Sequence, residues 1–305
     1  MHFLITGGSG FIGSAFAKRL LSLGHHVTIF DDKPLEQSFR LEPIKNQISY
    51  KQIDFTKLSA LKSEVVGFDV VAHFYFRANT SVKNPNDDFE KSILSTFNLL
   101  ESIRANKIKK IIFLSGAAVY GNSSVFPTSE TYGPLTPVSL YGAFKISSEA
   151  LLSAYSALFD IDVLVFRLGN VVGPHMTRGI IFDLIKKLKN NSDSIEILGN
   201  GKQIKDFIYL DDCIDGILHV LNNSREEFSL FNLSSGTTIS VNDIAKIVKQ
   251  EMNLVHVTNR YSNSELGWAG DVQKVHFDIS KIRQFGWSPK FDSKQAIVSA
   301  TKDLL

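Results

Sequence analysis

Thr6-Gly7-Gly8-Ser9-Gly10-Phe11-Ile12-Gly13 decides the fold. The stretch follows a short apolar run at residues 3–6 and opens a helical pattern at 13–23, with Gly24 behind it as a helix stop. Glycines at 7, 10 and 13 allow a tight turn, close approach of a pyrophosphate to the backbone, and close packing of helix on strand. The helix N-terminus then offers N–H groups and a partial positive charge to phosphates. Asp31 closes the next strand-like run, 18 positions after Gly13. There its carboxylate accepts from the ribose hydroxyls of an adenosine and repels a 2′-phosphate. The turn therefore predicts a dinucleotide site for NAD rather than NADP, built on Gly7, Gly10, Phe11, Ile12, Gly13, Asp31 and the adjacent Asp32.

Outward from that turn, strand-like runs fall at 26–30, 48–53, 70–74, 111–115 and 163–168, and helical patterns at 89–106 and 141–159. Strands separated by helices imply right-handed βαβ units and a parallel sheet buried on both faces. The expected class is α/β, a Rossmann-type doubly wound parallel sheet. Cofactor contacts are expected where strands three, four and five end: at Asp54 and Phe55, at Phe74, Tyr75 and Phe76, and at Ser115. After Asn170 the pattern breaks into helices at 178–189, 212–221 and 241–251 and short strands at 195–198 and 231–233. A NAD-binding domain over 1–169, rejoined by about 206–235, is expected beside a smaller mixed α/β substrate domain over 170–205 and 236–305.

Composition narrows the class. Apolar residues at 44% and charged residues at 21% are ordinary globular values, so neither disorder nor a fibrous repeat is indicated. A net charge of +2 gives no argument for a nucleic-acid partner. One cysteine, Cys213, excludes an internal disulfide and fits a reducing compartment. No apolar run reaches the ~18 residues of a membrane span, and the first strand leaves no room for a leader, so a cytoplasmic chain is expected. The scattered histidines suggest no metal site. His73 reads as a satisfied core residue.

Tyr141-Gly142-Ala143-Phe144-Lys145 places a phenol and an ammonium one helical turn apart on one face. A phenol acting as a base near pH 7 must be shifted by roughly three units, about 4 kcal/mol, and a neighbouring cation favours the phenolate. Pairs at this spacing arise by chance. What singles this one out is its position, opening the helix after the fifth strand.

The glycine turn and the Tyr–Lys pair together resemble the extended short-chain dehydrogenase/reductases, specifically the NAD-dependent nucleotide-sugar epimerase/dehydratase family. Val119-Tyr120-Gly121, Pro137 to Lys145, Arg167-Leu168-Gly169-Asn170-Val171-Val172-Gly173-Pro174, and Asp206-Phe207-Ile208-Tyr209-Leu210-Asp211-Asp212 follow in the family's order, as do Gly270-Asp271 and Gly286-Trp287. The resemblance implies a nucleoside-diphosphate sugar as substrate and a homodimer. It implies that Tyr141 takes the proton of a sugar hydroxyl, usually at C4, while the carbon is oxidised against NAD, with Lys145 lowering the phenol's pKa. By family position Asn170, Lys205 and Asp271 are candidate substrate contacts with Tyr120; Arg178 is added for its charge.

The chain also departs from the family pattern. The catalytic Ser or Thr falls four residues before the Tyr of Val-Tyr-Gly, and here that residue is Gly116. Ser115 is adjacent, but on an extended strand it is expected on the opposite face unless a bulge turns it. Bulky Phe74-Tyr75-Phe76 stand where relatives carry small residues, Ser92 replaces an asparagine, and Lys205 an arginine. Ala117 and Ala118 cannot supply the acidic pair of a 4,6-dehydratase. The expected activity is epimerisation at C4 of a UDP- or dTDP-hexose. Two alternatives stand beside it: a nucleotide-sugar-binding protein whose turnover is weak or lost through Gly116, and another oxidoreductase or decarboxylase of the family.

Overall fold

The computed structural model describes residues 1–77, 84–191, 193–262, 264–268 and 270–305. Among them the strands are β1 His2–Thr6, β2 His26–Asp31, β3 Ser49–Gln52, β4 Val70–His73, β5 Lys110–Gly116, β6 Asp162–Leu168, β7 Asn170–Val172, β8 Ser194–Ile197, β9 Ile204–Tyr209, β10 Phe228–Leu233, β11 Thr238–Ser240 and β12 Thr258–Tyr261. The chain divides into two compact units.

The first unit comprises Met1–Val119, Leu140–Arg167 and Leu218–Leu230. Its seven-stranded parallel sheet has the order β10-β6-β5-β4-β1-β2-β3. Strand order reverses at β1, which pairs in parallel with β2 on one side and β4 on the other. A crevice forms at such a reversal, outside the carboxyl ends of the strands. Phe3, Leu4 and Ile5 of β1 are all fully buried, as a strand covered on both faces must be. Leu99, Leu100, Ile103, Leu152 and Tyr155 of two helices pack on Leu4, Val71, Ile111, Phe113 and Val165.

The helix expected at 89–106 starts earlier and is not uniform. Asn84 caps it, accepting from Asp87 N–H, and Pro85 takes the first position. A π turn over Glu90–Leu94 follows, then Ser95–Ala105 as regular helix. The carbonyl of Ser92 accepts the hydroxyls of Ser95 at 3.1 Å and Thr96 at 2.6 Å.

His73 closes β4, fully buried, with Thr6 Oγ1 2.8 Å from Nδ1 and Thr96 Oγ1 3.0 Å from Nε2. Burial, reinforced by the charge of Lys145, pushes its pKa down to about 3. Below pH 6.5 the unfolded chain takes up a proton that the folded chain refuses, so this stability is lost as pH falls from 6.5 towards 3. The slope is about 1.4 kcal/mol per pH unit. His73→Asn removes the slope: its stability gap to the parent chain narrows by about 2 kcal/mol between pH 7 and pH 5 in urea unfolding. Parallel pH profiles would contradict a neutral His73.

The second unit comprises Tyr120–Ser139, Leu168–Ile217 and Phe231–Leu305. It holds a three-stranded sheet in the order β11-β9-β7 and the parallel pair β8–β12. Helices Ile180–Asn190, Val241–Glu251 and Ser293–Leu304 pack on one another. Residues 120–139 belong here rather than to the nucleotide-binding unit. The physical reason is their partners: Thr128 N–H donates to His276 O at 2.8 Å, and Asp278 N–H to Thr128 O at 2.9 Å. Asp206 anchors the unit, fully buried and accepting from Ser234 Oγ at 2.5 Å, Ser235 Oγ at 3.0 Å and Phe277 N–H at 3.3 Å. Burial raises its pKa to about 6 despite these donors. Its slope in stability is therefore opposite to that of His73, because the folded chain holds a proton that the unfolded chain releases between pH 3.8 and 6.

Candidate active site

Gly7 sits at φ +71°, and a Cβ there would come within 2.6 Å of the Tyr75 backbone nitrogen. A Cβ on Gly13 would meet Gly7 O at 2.5 Å. Both positions exclude any larger residue, which leaves the turn's backbone open to a phosphate. The following helix, Phe11–Ser22, begins with no side-chain cap and no acid in its first turn. The first N–H groups, Phe11, Ile12 and Gly13 among them, are thus left without intrahelical partners.

Asp31, at the end of β2, is 3% exposed. Its Oδ2 accepts from Ser9 N–H at 3.0 Å and Ser9 Oγ at 2.6 Å, which ties the glycine turn to the strand carrying the acid. Burial raises its pKa while the Ser9 donors pull it back. Asp32 follows, and its Oδ2 accepts from Tyr75 Oη at 3.1 Å. A pocket of about 330 Å³ opens beside it, lined by Asp32, Gln52, Ile53, Asp54, Thr56, Tyr75 and Lys91. Asp32, Asp54 and Tyr75 were expected from sequence. Thr56 was not expected, although an Asp-x-Thr turn is a local signal: its N–H and hydroxyl close a two-residue turn on Asp54 at 2.9 and 2.6 Å. Those bonds hold the Asp54 carboxyl below its usual range. Lys91 comes from the π turn, for which the sequence carries no signal.

The aromatic run after β4 divides three ways. Phe74 packs on Phe16 with ring centres 5.3 Å apart. Tyr75 stacks on Phe55 at 4.1 Å and 21°. Phe55 itself is 1% exposed, its ring buried beneath that of Tyr75. Phe76 lies over the Lys145 ammonium, 3.5 Å from ring centre to Nζ.

Helix Leu140–Phe159 carries Tyr141 and Lys145. Lys145 is 4% exposed; its Nζ donates to Leu114 O at 2.5 Å and lies 4.6 Å from the Phe113 ring centre and 5.8 Å from that of Tyr141. Burial holds its pKa well below the usual lysine range. One turn on, Glu149 makes a buried two-pronged pair with Arg167, at 2.7 and 3.2 Å.

Strand alternation sets Ser115 and Gly116 on opposite faces of β5, as expected. Phe113, two residues earlier on β5, is the residue whose ring faces Lys145. Residues two apart share a face of a strand, so Ser115 leaves β5 on the Lys145 side and Gly116 on the other. The Ser115 hydroxyl is buried and has no hydrogen-bond partner among the described residues.

The remaining candidate residues lie in the second unit. Tyr120 is 3% exposed and donates its hydroxyl to Asn232 Oδ1 at 2.7 Å. Asn170 is exposed and donates to Asp206 O at 3.1 Å. Lys205 and Asp271, expected as separate substrate contacts, pair with each other at 2.6 Å, and Lys205 also donates to Val272 O. Arg178 is exposed.

A glycine turn closed to any Cβ, an uncapped helix start and a buried acid at the end of β2 fit an adenosine diphosphate with a free ribose. The model of the NAD dependent epimerase/dehydratase family matches residues 3–234, and the chain belongs to that family. It is 32% identical to a putative UDP-glucose 4-epimerase of Methanocaldococcus jannaschii over 96% of this chain and 95% of the relative. The fold superposes on the crystal structure of a UDP-galactose 4-epimerase with a TM-score of 0.88 at 30% identity, covering 100% of this chain and 98% of that one. A UDP-glucose 4-epimerase of Thermotoga maritima, solved with UDP-glucose, gives 0.89 at 26% identity, again over 100% and 98%. NAD is accordingly the cofactor.

Among the described residues no three His, Cys, Asp or Glu side chains come together as metal ligands, and no helix is long and apolar enough to cross a membrane. Two adjacent carboxylates at 31 and 32 oppose a 2′-phosphate, so NAD is expected to bind at least about tenfold more tightly than NADP, by about 1.4 kcal/mol. Equal dissociation constants in calorimetry would take Asp31 out of that role.

Proposed function

We propose that the chain is a nucleotide-sugar epimerase, inverting C4 of a UDP- or dTDP-hexose through a transient 4-keto sugar. The observation that carries this reading is the pair on helix Leu140–Phe159: a buried Lys145 Nζ pinned by Leu114 O and held 5.8 Å from the Tyr141 ring centre. The relatives named as UDP-sugar 4-epimerases support the substrate class.

In this proposal Tyr141 Oη takes the proton of the C4 hydroxyl. Lys145 makes that possible: at the ring-centre distance of 5.8 Å, with an effective dielectric of about 20, its charge stabilises the phenolate by about 3 kcal/mol. That is roughly two of the three pKa units required. Ser115, on the same face of β5, donates its unpartnered hydroxyl hydrogen to the C4 oxygen, the part that residue 116 cannot play as glycine. When bound at Gly7, Gly10, Gly13 and Asp31, NAD supplies a reversible two-electron acceptor for C4. Asn170 and Lys205 hold the diphosphate, and Asp271 fixes the Lys205 amine.

The orphaned Ser115 hydroxyl favours this reading over a binding protein that has lost turnover. The test is chromatographic: purified protein with NAD and UDP-glucose or dTDP-glucose is expected to form the C4 epimer. A chain that binds both ligands and forms none would leave the binding role.

A further inference from the structure

We infer that Phe76 is a positioning residue for the Tyr141–Lys145 pair: its ring face carries the Lys145 ammonium beside the phenol and thereby sets how readily Tyr141 yields its proton. The inference rests on the reading of Tyr141 as base, and names a residue that the family pattern does not provide, since small side chains are expected at that position.

The geometry is specific. Lys145 Nζ lies 3.5 Å from the Phe76 ring centre and 4.6 Å from that of Phe113, with Leu114 O as its hydrogen-bond acceptor at 2.5 Å. The Phe76 ring meets Tyr141 edge-on at 5.9 Å and Phe113 at 6.1 Å. One aromatic ring thus touches the amine, the phenol and the strand that carries Ser115. A lysine buried this deeply is driven towards its neutral form, and a neutral amine cannot stabilise a phenolate. Something must favour the cation without admitting water, and an aromatic face does so.

The charged groups around the amine do not replace it. Glu149, on the same helix, favours the ammonium but is occupied by Arg167 of β6. His73, at the end of β4, is kept neutral by burial. Phe113 also presents a ring face, at a longer distance. Phe76 itself is only half-buried, so it can be altered without opening the core.

The decisive variants are Phe76→Leu, which keeps bulk and excludes water but removes the π face, and Phe76→Tyr, which restores the face. Phe76→Met replaces the leucine variant should that chain fail to fold. The readout is the tyrosinate absorbance of Tyr141, isolated as the difference between each chain and its own Tyr141→Phe counterpart across pH. Alongside it runs the pH profile of kcat/KM for the nucleotide sugar. Phe76→Leu is expected to raise the midpoint of the Tyr141 titration by about one pH unit, and the acid limb of the profile with it, while Phe76→Tyr stays near the parent. A leucine variant titrating with the parent, or a tyrosine variant displaced as far as the leucine one, overturns the inference. A shifted titration in chains that convert no sugar upholds the positioning role and removes the epimerase reading instead.

Discussion

Tyr141→Phe is expected to lower nucleotide-sugar turnover by at least about 10³-fold while NAD remains bound. The change deletes one oxygen and leaves the ring, so the edge-on packing against Phe76 at 5.9 Å and the surroundings of Lys145 persist. Among the described residues, the titratable groups near the Lys145 ammonium are otherwise engaged: Glu149 is bound to Arg167, and His73 is hydrogen-bonded on both ring nitrogens. The loss should therefore fall on kcat with little change in the dissociation constant of NAD, measured by calorimetry. A variant that keeps a tenth of parental turnover would remove Tyr141 from the proton transfer.

Ser115→Ala should cost about 10²–10³ in kcat, the usual effect of losing one positioned donor to a developing oxyanion. Stability should change little, because the hydroxyl has no partner to lose and a buried unpaired hydroxyl is itself unfavourable. This combination separates the two roles open to a buried serine. A structural serine, on replacement, would lower the melting temperature and leave kcat intact. That result would return attention to Gly116 as a true gap in the machinery. Ser115→Thr is expected to retain most of the activity, since it keeps the donor.

The nucleotide-binding half was legible because its signals are local. A glycine turn, an acid 18 residues on and apolar runs at regular spacing sit within reach of one another along the chain, and the observed β1, β2, β4, β5 and β6 each begin or end within a residue of expectation. A strand was expected at 231–233, and β10, Phe228–Leu233, forms an edge of the main sheet there.

What stayed illegible depends on contacts between distant residues. Alternation along β5 shows that Ser115 and Gly116 face opposite ways, but only the Phe113–Lys145 contact shows which face belongs to the helix bearing Tyr141. Tyr120 is a candidate substrate contact by family position alone. Its hydroxyl is claimed by Asn232, more than a hundred residues away. The π turn at Glu90–Leu94 brings Lys91 to the pocket beside Asp54, and no residue in that stretch announces a change of helical pitch. The aromatic run at 74–76 stands where relatives carry small residues, and its sequence does not say what each ring meets. Its members divide among Phe16, Phe55 and Lys145, each chosen by a strand or helix encoded elsewhere.

The most direct test offers the NAD-loaded protein a panel of UDP-, dTDP-, GDP- and CDP-hexoses, with products separated by chromatography and NADH absorbance followed in the same tube. A C4 epimer of at least one UDP- or dTDP-sugar is expected, formed without net NADH and absent from Tyr141→Phe. NAD and nucleotide sugar both bound, with every sugar recovered unchanged, would contradict it.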